Sequence, residues 1–402
     1  MSRFSPLERR TMWLPLVAVL ALLALVAGAA RGPIGRRRDA LESPAPVPSP
    51  LAAAVDRALG ERWARAGIEP AGPTDELAVL RRAWLALAGT IPSLEEIRAF
   101  EADRSPDRLS RAIDRLLGER RSADWLARRL ASALVGDGGG QFIVFRRDRF
   151  TEWLAGEIHA GRPWDAIVRS LIASRGLWTD TPAVNFVTQA AADGTIDADT
   201  LAGRVARVFL GQRFDCAQCH DHPFARWKQS DFEGLAACFA QARLSGVGLE
   251  DDPARVHRIV VPAADGAMAR GRNVPPRVPF GESWLGEGGT HRENLAGWIV
   301  HPENRRFDRA TVNRAWGILF GRAWHEPVDD LPDPPAEGSD LLDVLATGFR
   351  EGGRDLRRLL GAIAATRAFR MASTHPLLES PEGCDRVEGA WAAFPITRLL
   401  PE

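Results

Sequence analysis

The chain has 402 residues, which is enough for about two or three domains, and its 52 basic and 52 acidic side chains cancel. A net charge of zero provides no broad positive field for a polyanion, which argues against nucleic acid as a partner. The apolar fraction of 45% and the charged fraction of 26% are typical of a globular protein with a buried core.

An uncharged apolar stretch of nineteen residues, 12–30, follows a basic start. At about 1.5 Å per residue, a helix of this length roughly spans the ~30 Å hydrocarbon core of a bilayer. The stretch ends in small residues at 27–30 that signal peptidase accepts. Cleavage would release a secreted protein. Retention, favoured because the arginines at 36–38 hinder processing, would leave a single-pass membrane anchor. Both interpretations predict a body outside the cytoplasm, on the periplasmic side.

Composition and apolar spacing divide the chain into segments of different character. The predicted segments are a signal anchor or signal peptide (1–30), a stiff proline-rich linker (31–50), a first helical domain (51–243), an irregular connector (244–290) and a second helical domain (291–402). Strand-like sequence is confined to about 256–261. The predicted fold class is therefore mainly α: a multi-helical body with a short irregular or β insertion, preceded by a transmembrane or signal helix.

Capping residues predict several helix boundaries. Thr74 is predicted to cap one helix, Ser93 and Glu96 to form a capping box, Pro106 to open a helix at its first position, and Gly136 to end one. Further helices are expected near 147–160, 163–174, 198–211 and 231–243, and in a second block from about 291 to 372.

The residues with the clearest chemistry lie in the run RFDCAQCHDHPFARW at 213–227. Cys216, Cys219 and His220 form a C-x-x-C-H pentad, the attachment signature of c-type haem. Two cysteines at this spacing can form thioethers to the two vinyl groups on one haem edge, and the adjacent histidine can reach the iron. The sequence predicts Cys216 and Cys219 as cofactor-binding residues and His220 as the metal ligand.

Other interpretations of the same residues stay open. The two cysteines, with His220 or His222 and Cys238, could hold zinc, and the cysteine pair could instead form a redox-active disulfide or a purely structural loop. His222 is interpreted as a supporting or capping residue, or as a zinc ligand. A sixth ligand for haem iron would come from elsewhere, the candidates being Met268, His257, His291 and Met371.

Long stretches of the chain resemble a known family. The run LAGRVARVFLGQRFDCAQCHDHPFARWKQSDFEGLAACF (201–239), with 80–100 and 163–178, resembles the planctomycete cytochrome-like domain family, secreted proteins of unknown function. Residues 294–330 and 339–373 resemble the partner domain usually found downstream. The resemblance implies a signal or anchor, a helical fold and a haem-like motif, but no reaction. The partner domain is expected to be truncated, since the chain ends at FPITRLLPE where the family continues.

The second block also carries a group of polar residues of interest: Asn313, Arg314, Trp316, Glu326, Asp329 and Asp330. A carboxylate pair can perform general acid–base catalysis. A structural arginine–carboxylate brace between a helix and the following loop explains the same residues without catalysis.

Three functions therefore remain as hypotheses. The first is a haem-binding or electron-transfer module that is tethered to the membrane by its N-terminal helix and has an unknown redox or protein partner. The second is a helical interaction module stabilised by zinc. The third is an extracytoplasmic enzyme of unknown substrate that uses the loop near 325–335.

Overall fold

Short amphipathic helices follow one another along most of the chain, as the apolar spacing predicts. The structure, a computed structural model, describes residues 49–140, 144–261, 270–335, 338 and 340–396. The predicted helix at 12–30, most of the linker and Met268 lie outside these residues. Among the helices that are described, none is both long and apolar enough to cross a membrane.

Most helices in the first half of the chain lie near the predicted positions, but the helix predicted near 231–243 ends at Ala237, and the short helix at 185–188 was not predicted. They are α1 (Pro50–Ala66), α2 (Glu76–Ala88), α3 (Leu94–Ala102), α4 (Arg108–Gly118), α5 (Arg120–Val135), α6 (Arg147–His159), α7 (Trp164–Ala173), α8 (Asn185–Thr188), α9 (Ala198–Val205) and α10 (Gln229–Ala237). A π-helical turn, Ala206–Leu210, continues α9, and a 3-10 turn, Asp215–Gln218, precedes α10.

The second half has six further helices within the described residues. They are α11 (His291–Ile299), α12 (Arg305–Phe320), α13 (Leu341–Glu351), α14 (Leu356–Ala365), α15 (Arg367–Arg370) and α16 (Pro381–Ala390). The helical second block predicted from about 291 is confirmed.

Two of the predicted helix boundaries are confirmed by their hydrogen bonds. The Ser93 hydroxyl accepts a hydrogen bond from the Glu96 backbone N–H at 3.2 Å, and the Glu96 carboxylate accepts one from the Ser93 N–H at 2.7 Å. This pair satisfies two N–H groups at the start of α3 that have no partner within the helix. Gly136 ends α5 at a positive φ of 71°, which glycine adopts without steric cost.

Two other predicted boundaries are displaced by one or two residues. Asp75, not Thr74, caps α2, because its carboxylate accepts from the backbone N–H groups of the first turn. Pro106 is not the first residue of a helix: α4 begins at Arg108. Asp75 directly follows Thr74 and is itself a favoured N-cap residue, whereas Asp107 precedes α4 without a side-chain cap hydrogen bond.

The β structure is more extensive than the sequence predicts. Three antiparallel pairs are described: β1 (Ala191–Ala192) with β2 (Thr195–Ile196), β3 (Ala242–Ser245) with β4 (Gly248–Asp251), and β5 (His257–Val261) with β6 (Arg270–Val274). The strand predicted near 256–261 is confirmed as β5. The prediction that strands are confined to that stretch is wrong, because the β1–β2 and β3–β4 pairs lie outside it. Leu249 of β4 also exchanges backbone hydrogen bonds of 2.8 and 2.9 Å with Gly176.

The two helical blocks share one core. The described residues from 49 onward form one compact unit, in which α1 packs against α13 and α14. Within it, α2 packs against α12, α4 packs against α14, and α7 packs against α11. Backbone hydrogen bonds also join the blocks. The Trp164 N–H donates to the Arg354 carbonyl and the Thr74 N–H donates to the Arg370 carbonyl, each at 2.9 Å.

A fully buried ion pair connects the two blocks through the β connector. The Nε and Nη2 atoms of Arg292, at the start of α11, each donate to one oxygen of the Asp251 carboxylate at 2.7 Å, and both side chains have 0% exposure. Arg292 also donates to the carbonyls of Ile172 and Ser174 at the end of α7. One arginine thus satisfies polar groups from the first block and from the connector.

Replacement of Arg292 by Met is expected to lower the free energy of unfolding by about 3–5 kcal/mol, because Asp251 would be left charged and buried with less compensation. Arg243→Met is the matched control, since Arg243 pairs with Glu250 on the same hairpin but is 46% exposed. That control should cost at most ~1 kcal/mol. Urea unfolding of both variants measures the difference, and equal losses would contradict the role of the buried pair.

Candidate functional site

The C-x-x-C-H motif lies on the 3-10 turn Asp215–Gln218 and the residues that follow it. Phe214 and Ala217 have 0% exposure, whereas Cys216 and Cys219 are exposed, unbridged thiols. Cys216 lies within the 3-10 turn and Cys219 directly follows it as the C-cap residue. The local fold therefore buries the small residue between the cysteines and presents both sulfur atoms to solvent.

The loop that carries the motif is anchored by aromatic residues beneath it. The rings of Phe214 and Trp227 lie 4.5 Å apart, and the Trp227 indole N–H donates to the Gln212 side chain at 3.1 Å. The second block also contributes to this base, since the Arg306 guanidinium lies over the Trp227 ring, 5.3 Å from its centre. A backbone hydrogen bond of 2.8 Å from His222 to Trp227 closes the loop.

The two histidines of the loop have different hydrogen bonds and therefore different tautomers. His220 Nδ1 lies 2.8 Å from the Asp221 carbonyl, which can only accept, so Nδ1 carries the proton and Nε2 keeps its lone pair. His222 Nδ1 accepts from the N–H groups of Phe224 and Ala225 at 3.2 and 2.9 Å, so its proton is on Nε2. His220 is thus the histidine with a ring nitrogen free for a metal, and His222 caps the turn, one of the two roles predicted for it.

The loop after α12 joins the motif segment to the second block. The Leu331 N–H donates to the Gly211 carbonyl at 2.7 Å, and the Gln212 side-chain amide donates to the Leu331 carbonyl. Arg213 pairs with Asp329 through contacts of 2.8 and 3.0 Å. The structure therefore brings together two groups that the sequence analysis treated separately.

The predicted arginine–carboxylate brace between α12 and the following loop is not formed as expected, because the Asp329 carboxylate pairs with Arg213, a half-exposed arginine of the first block, and not with Arg314. Asp329 pairs with Arg213, whereas Asn313 ties α12 to the loop by hydrogen bonds of 3.0 and 2.9 Å with the His325 backbone. Glu326 accepts from the Ala323 N–H at 2.7 Å. These contacts give Glu326 and Asp329 structural roles.

Cys238, the fourth ligand of the zinc hypothesis, is turned into the core. Its side chain has 0% exposure, its thiol donates to the Gly234 carbonyl at 3.6 Å, and burial raises its pKa to about 12. Across the described part of the chain, no three His, Cys, Asp or Glu side chains are grouped to hold a metal ion. The zinc tetrad is accordingly not assembled within these residues.

The described candidates for a sixth iron ligand have contacts of their own. Met371 is buried in a backbone bridge with Pro73, and His257 lies 3.9 Å from Asp199. His291 is the exception: its backbone N–H donates to the Gln241 side chain at 3.2 Å, but its buried ring Nδ1 has no hydrogen-bond partner among the described residues.

Two residues important to this site were not identified from the sequence. Gln212 is buried and holds Trp227 on one side and Leu331 on the other. Phe224 is 95% exposed near the tip of the motif loop. A signal for Phe224 is present in the sequence, since it is the single aromatic side chain among the histidines and charged residues of 220–226, directly after a proline.

The exposure of the four thiols predicts their reactivity in the native chain produced without haem. Cys216 and Cys219 should react with Ellman's reagent within the first phase, Cys384 more slowly because it is half-buried, and Cys238 after denaturation. A Cys238→Ala control should leave the native count unchanged and lower the denatured count by one. Rapid labelling of Cys238 in the folded protein would contradict its placement.

Comparison with known proteins gives family matches for both blocks. Residues 54–244 match PSCyt2, Protein of unknown function (DUF1549), and residues 291–402 match PSD1, Protein of unknown function (DUF1553). No curated protein and no solved structure matches the chain. The chain therefore combines segments similar to two families that are typical of planctomycete proteins, both of unknown function.

Proposed function

We propose that this chain is an extracytoplasmic carrier of covalently bound haem, with thioethers at Cys216 and Cys219 and iron ligation by His220. The observation that carries the proposal is the arrangement of the three groups. Two exposed thiols lie three residues apart, one within a 3-10 turn and one directly after it, and the next residue keeps an Nε2 lone pair free. Haem attachment requires both thiols to be accessible together, and this turn satisfies that requirement.

The residues of the loop fit the chemical demands of such a group. Haem held in this way supplies one-electron redox chemistry, with a potential that depends on the axial ligands and on solvent exposure. The Asp221 carbonyl accepts from His220 Nδ1–H, the kind of support that fixes the tautomer and orientation of metal-binding histidines. Phe224 offers an apolar side chain on the same loop for contact with a macrocycle.

The motif's surroundings favour a rigid attachment site. His222 and the aromatic base hold the loop from below, and Arg213 and Gln212 tie its start to the second block. A rigid loop lowers the reorganisation that accompanies a change in charge at a bound group. This supports electron transfer as the use of the cofactor, with a redox partner outside the cytoplasm.

The proposed location rests on the apolar stretch at 12–30, which is preceded by basic residues and followed by a proline-rich linker. A signal or anchor of this kind would deliver the body to the compartment in which c-type haem is attached. If the stretch is retained, the linker would hold the folded body away from the bilayer.

A haem assay on the full chain tests the proposal. The chain is exported in a host with c-type maturation machinery, denatured and extracted with acid solvent, and its pyridine haemochrome spectrum is recorded. We expect about one haem per chain that stays with the polypeptide, because thioethers survive denaturation. Cys216→Ala and Cys219→Ala should each lose the haem that stays with the denatured polypeptide, because each removes one of the two thioethers.

Cys384→Ala is the matched control, since Cys384 is a half-buried cysteine of α16, outside the motif. It should leave the haem content unchanged. A colourless protein from a host that matures a control cytochrome would refute the proposal, and stoichiometric zinc in that protein would favour the metal-stabilised module instead.

A further inference from the structure

Lysine occurs once in this chain, close to the C-x-x-C-H motif. Of the 52 lysine and arginine side chains, Lys228 is the single lysine. A guanidinium stays protonated in proteins, whereas an amine can lose its proton and then presents a lone pair that can coordinate a metal. Arginine supplies this kind of charge everywhere else, and an amine side chain is present only beside the motif.

Hydrogen bonds on both sides of Lys228 hold its backbone against the motif. The Trp227 carbonyl accepts from the His222 N–H at 2.8 Å, and the Gln229 N–H donates to the Asp221 carboxylate at 2.9 Å. Through its two neighbours, Lys228 is thus tied to the two residues that directly follow the motif.

The Lys228 side chain is exposed and forms no ion pair within the described residues. The Asp231 carboxylate accepts from the Lys228 backbone N–H at 2.9 Å, at the start of α10. The backbone of Lys228 is therefore fixed, while its flexible four-carbon stem can carry the amine away from that fixed point.

The other candidates for a second axial ligand of haem iron are engaged or buried. His222, on the motif loop itself, accepts from the turn through Nδ1 and carries its proton on Nε2. Met371, the methionine that falls within the described residues, is 1% exposed. His257 lies beside Asp199, and the ring Nδ1 of His291 is buried.

We propose that the Lys228 amine is the second axial ligand of the haem iron, opposite His220. This inference rests on the proposed attachment of haem at Cys216 and Cys219. Coordination requires the ammonium to release one proton to solvent, which lysine can do and arginine cannot. An amine and an imidazole together make the iron low-spin, with a lower midpoint potential than a methionine–histidine pair.

Optical and electron paramagnetic resonance spectra of the exported full chain test the proposal. We expect the ferric iron of the unmodified chain to be low-spin. Lys228→Arg retains the charge but offers no lone pair, so its ferric iron should be high-spin. Added imidazole should restore the low-spin form of this variant, and it should bind the variant about tenfold or more tightly than the unmodified chain, because the competing internal ligand is lost.

The single lysine allows a second measurement that needs no variant. The full chain, produced with and without the maturation machinery, is treated with an amine-acetylating reagent, and the peptide containing Lys228 is weighed. We expect acetylation of Lys228 in the chain without haem, because the side chain is exposed. In the haem-loaded chain Lys228 should be protected, because a coordinated amine has no free lone pair.

Arg226→Gln is the matched control, because it removes an exposed cation of the same loop and should leave the ferric iron low-spin. The pyridine haemochrome assay measures the haem content of every sample. With haem attached, a high-spin iron in the unmodified chain, a low-spin iron in Lys228→Arg or full acetylation of Lys228 would each overturn the ligand assignment and leave the haem proposal standing. Failure of haem to attach would overturn both.

Discussion

The position of the motif depends on a short joint between two loops. Gly211, Gln212 and Arg213 contact Asp329 and Leu331 through backbone hydrogen bonds, a buried amide and an ion pair. The motif loop itself contains one 3-10 turn and no strand. Hydrogen bonds within the loop fix its local shape, and the contacts at its ends and its base fix its position on the body of the protein. The second block therefore acts as the support on which the first block presents its cysteines.

The same dependence of one block on the other recurs throughout the core. The Arg292–Asp251 pair closes the contact between α7 and α11 without exposure to water, and α1, at the start of the described residues, packs on α13 and α14. The segments that match PSCyt2 and PSD1 are thus parts of one structural unit, and the candidate site lies where these parts meet.

Local sequence signals predicted the helices well, and long-range contacts account for most of what was missed. The capping box of Ser93 and Glu96 involves residues that are three positions apart, so its signal is complete in the sequence. The β3–β4 hairpin was missed because its residues read as the end of a helix followed by a glycine-rich turn. Its pairing with Gly176, more than seventy residues away, has no local signature.

The candidate site was predictable to a similar extent. Cys216, Cys219 and His220 were identified because their spacing itself carries the chemistry. His220 was chosen as the iron ligand from the motif, but for zinc the choice between His220 and His222 stayed open, since it depends on which backbone groups face each ring nitrogen. Likewise, Asp329 was recognised as part of a brace, but its partner Arg213 is 116 residues earlier in the chain.

The central claim is that both cysteines of this turn become covalently bound to one haem. Peptide mapping by mass spectrometry tests it most directly: the exported full chain is alkylated, digested, and the peptide containing residues 216–220 is weighed. The account predicts a peptide heavier by one haem, with Cys216 and Cys219 both protected from alkylation. Recovery of that peptide with both cysteines alkylated, from a host that matures a control cytochrome, would contradict it.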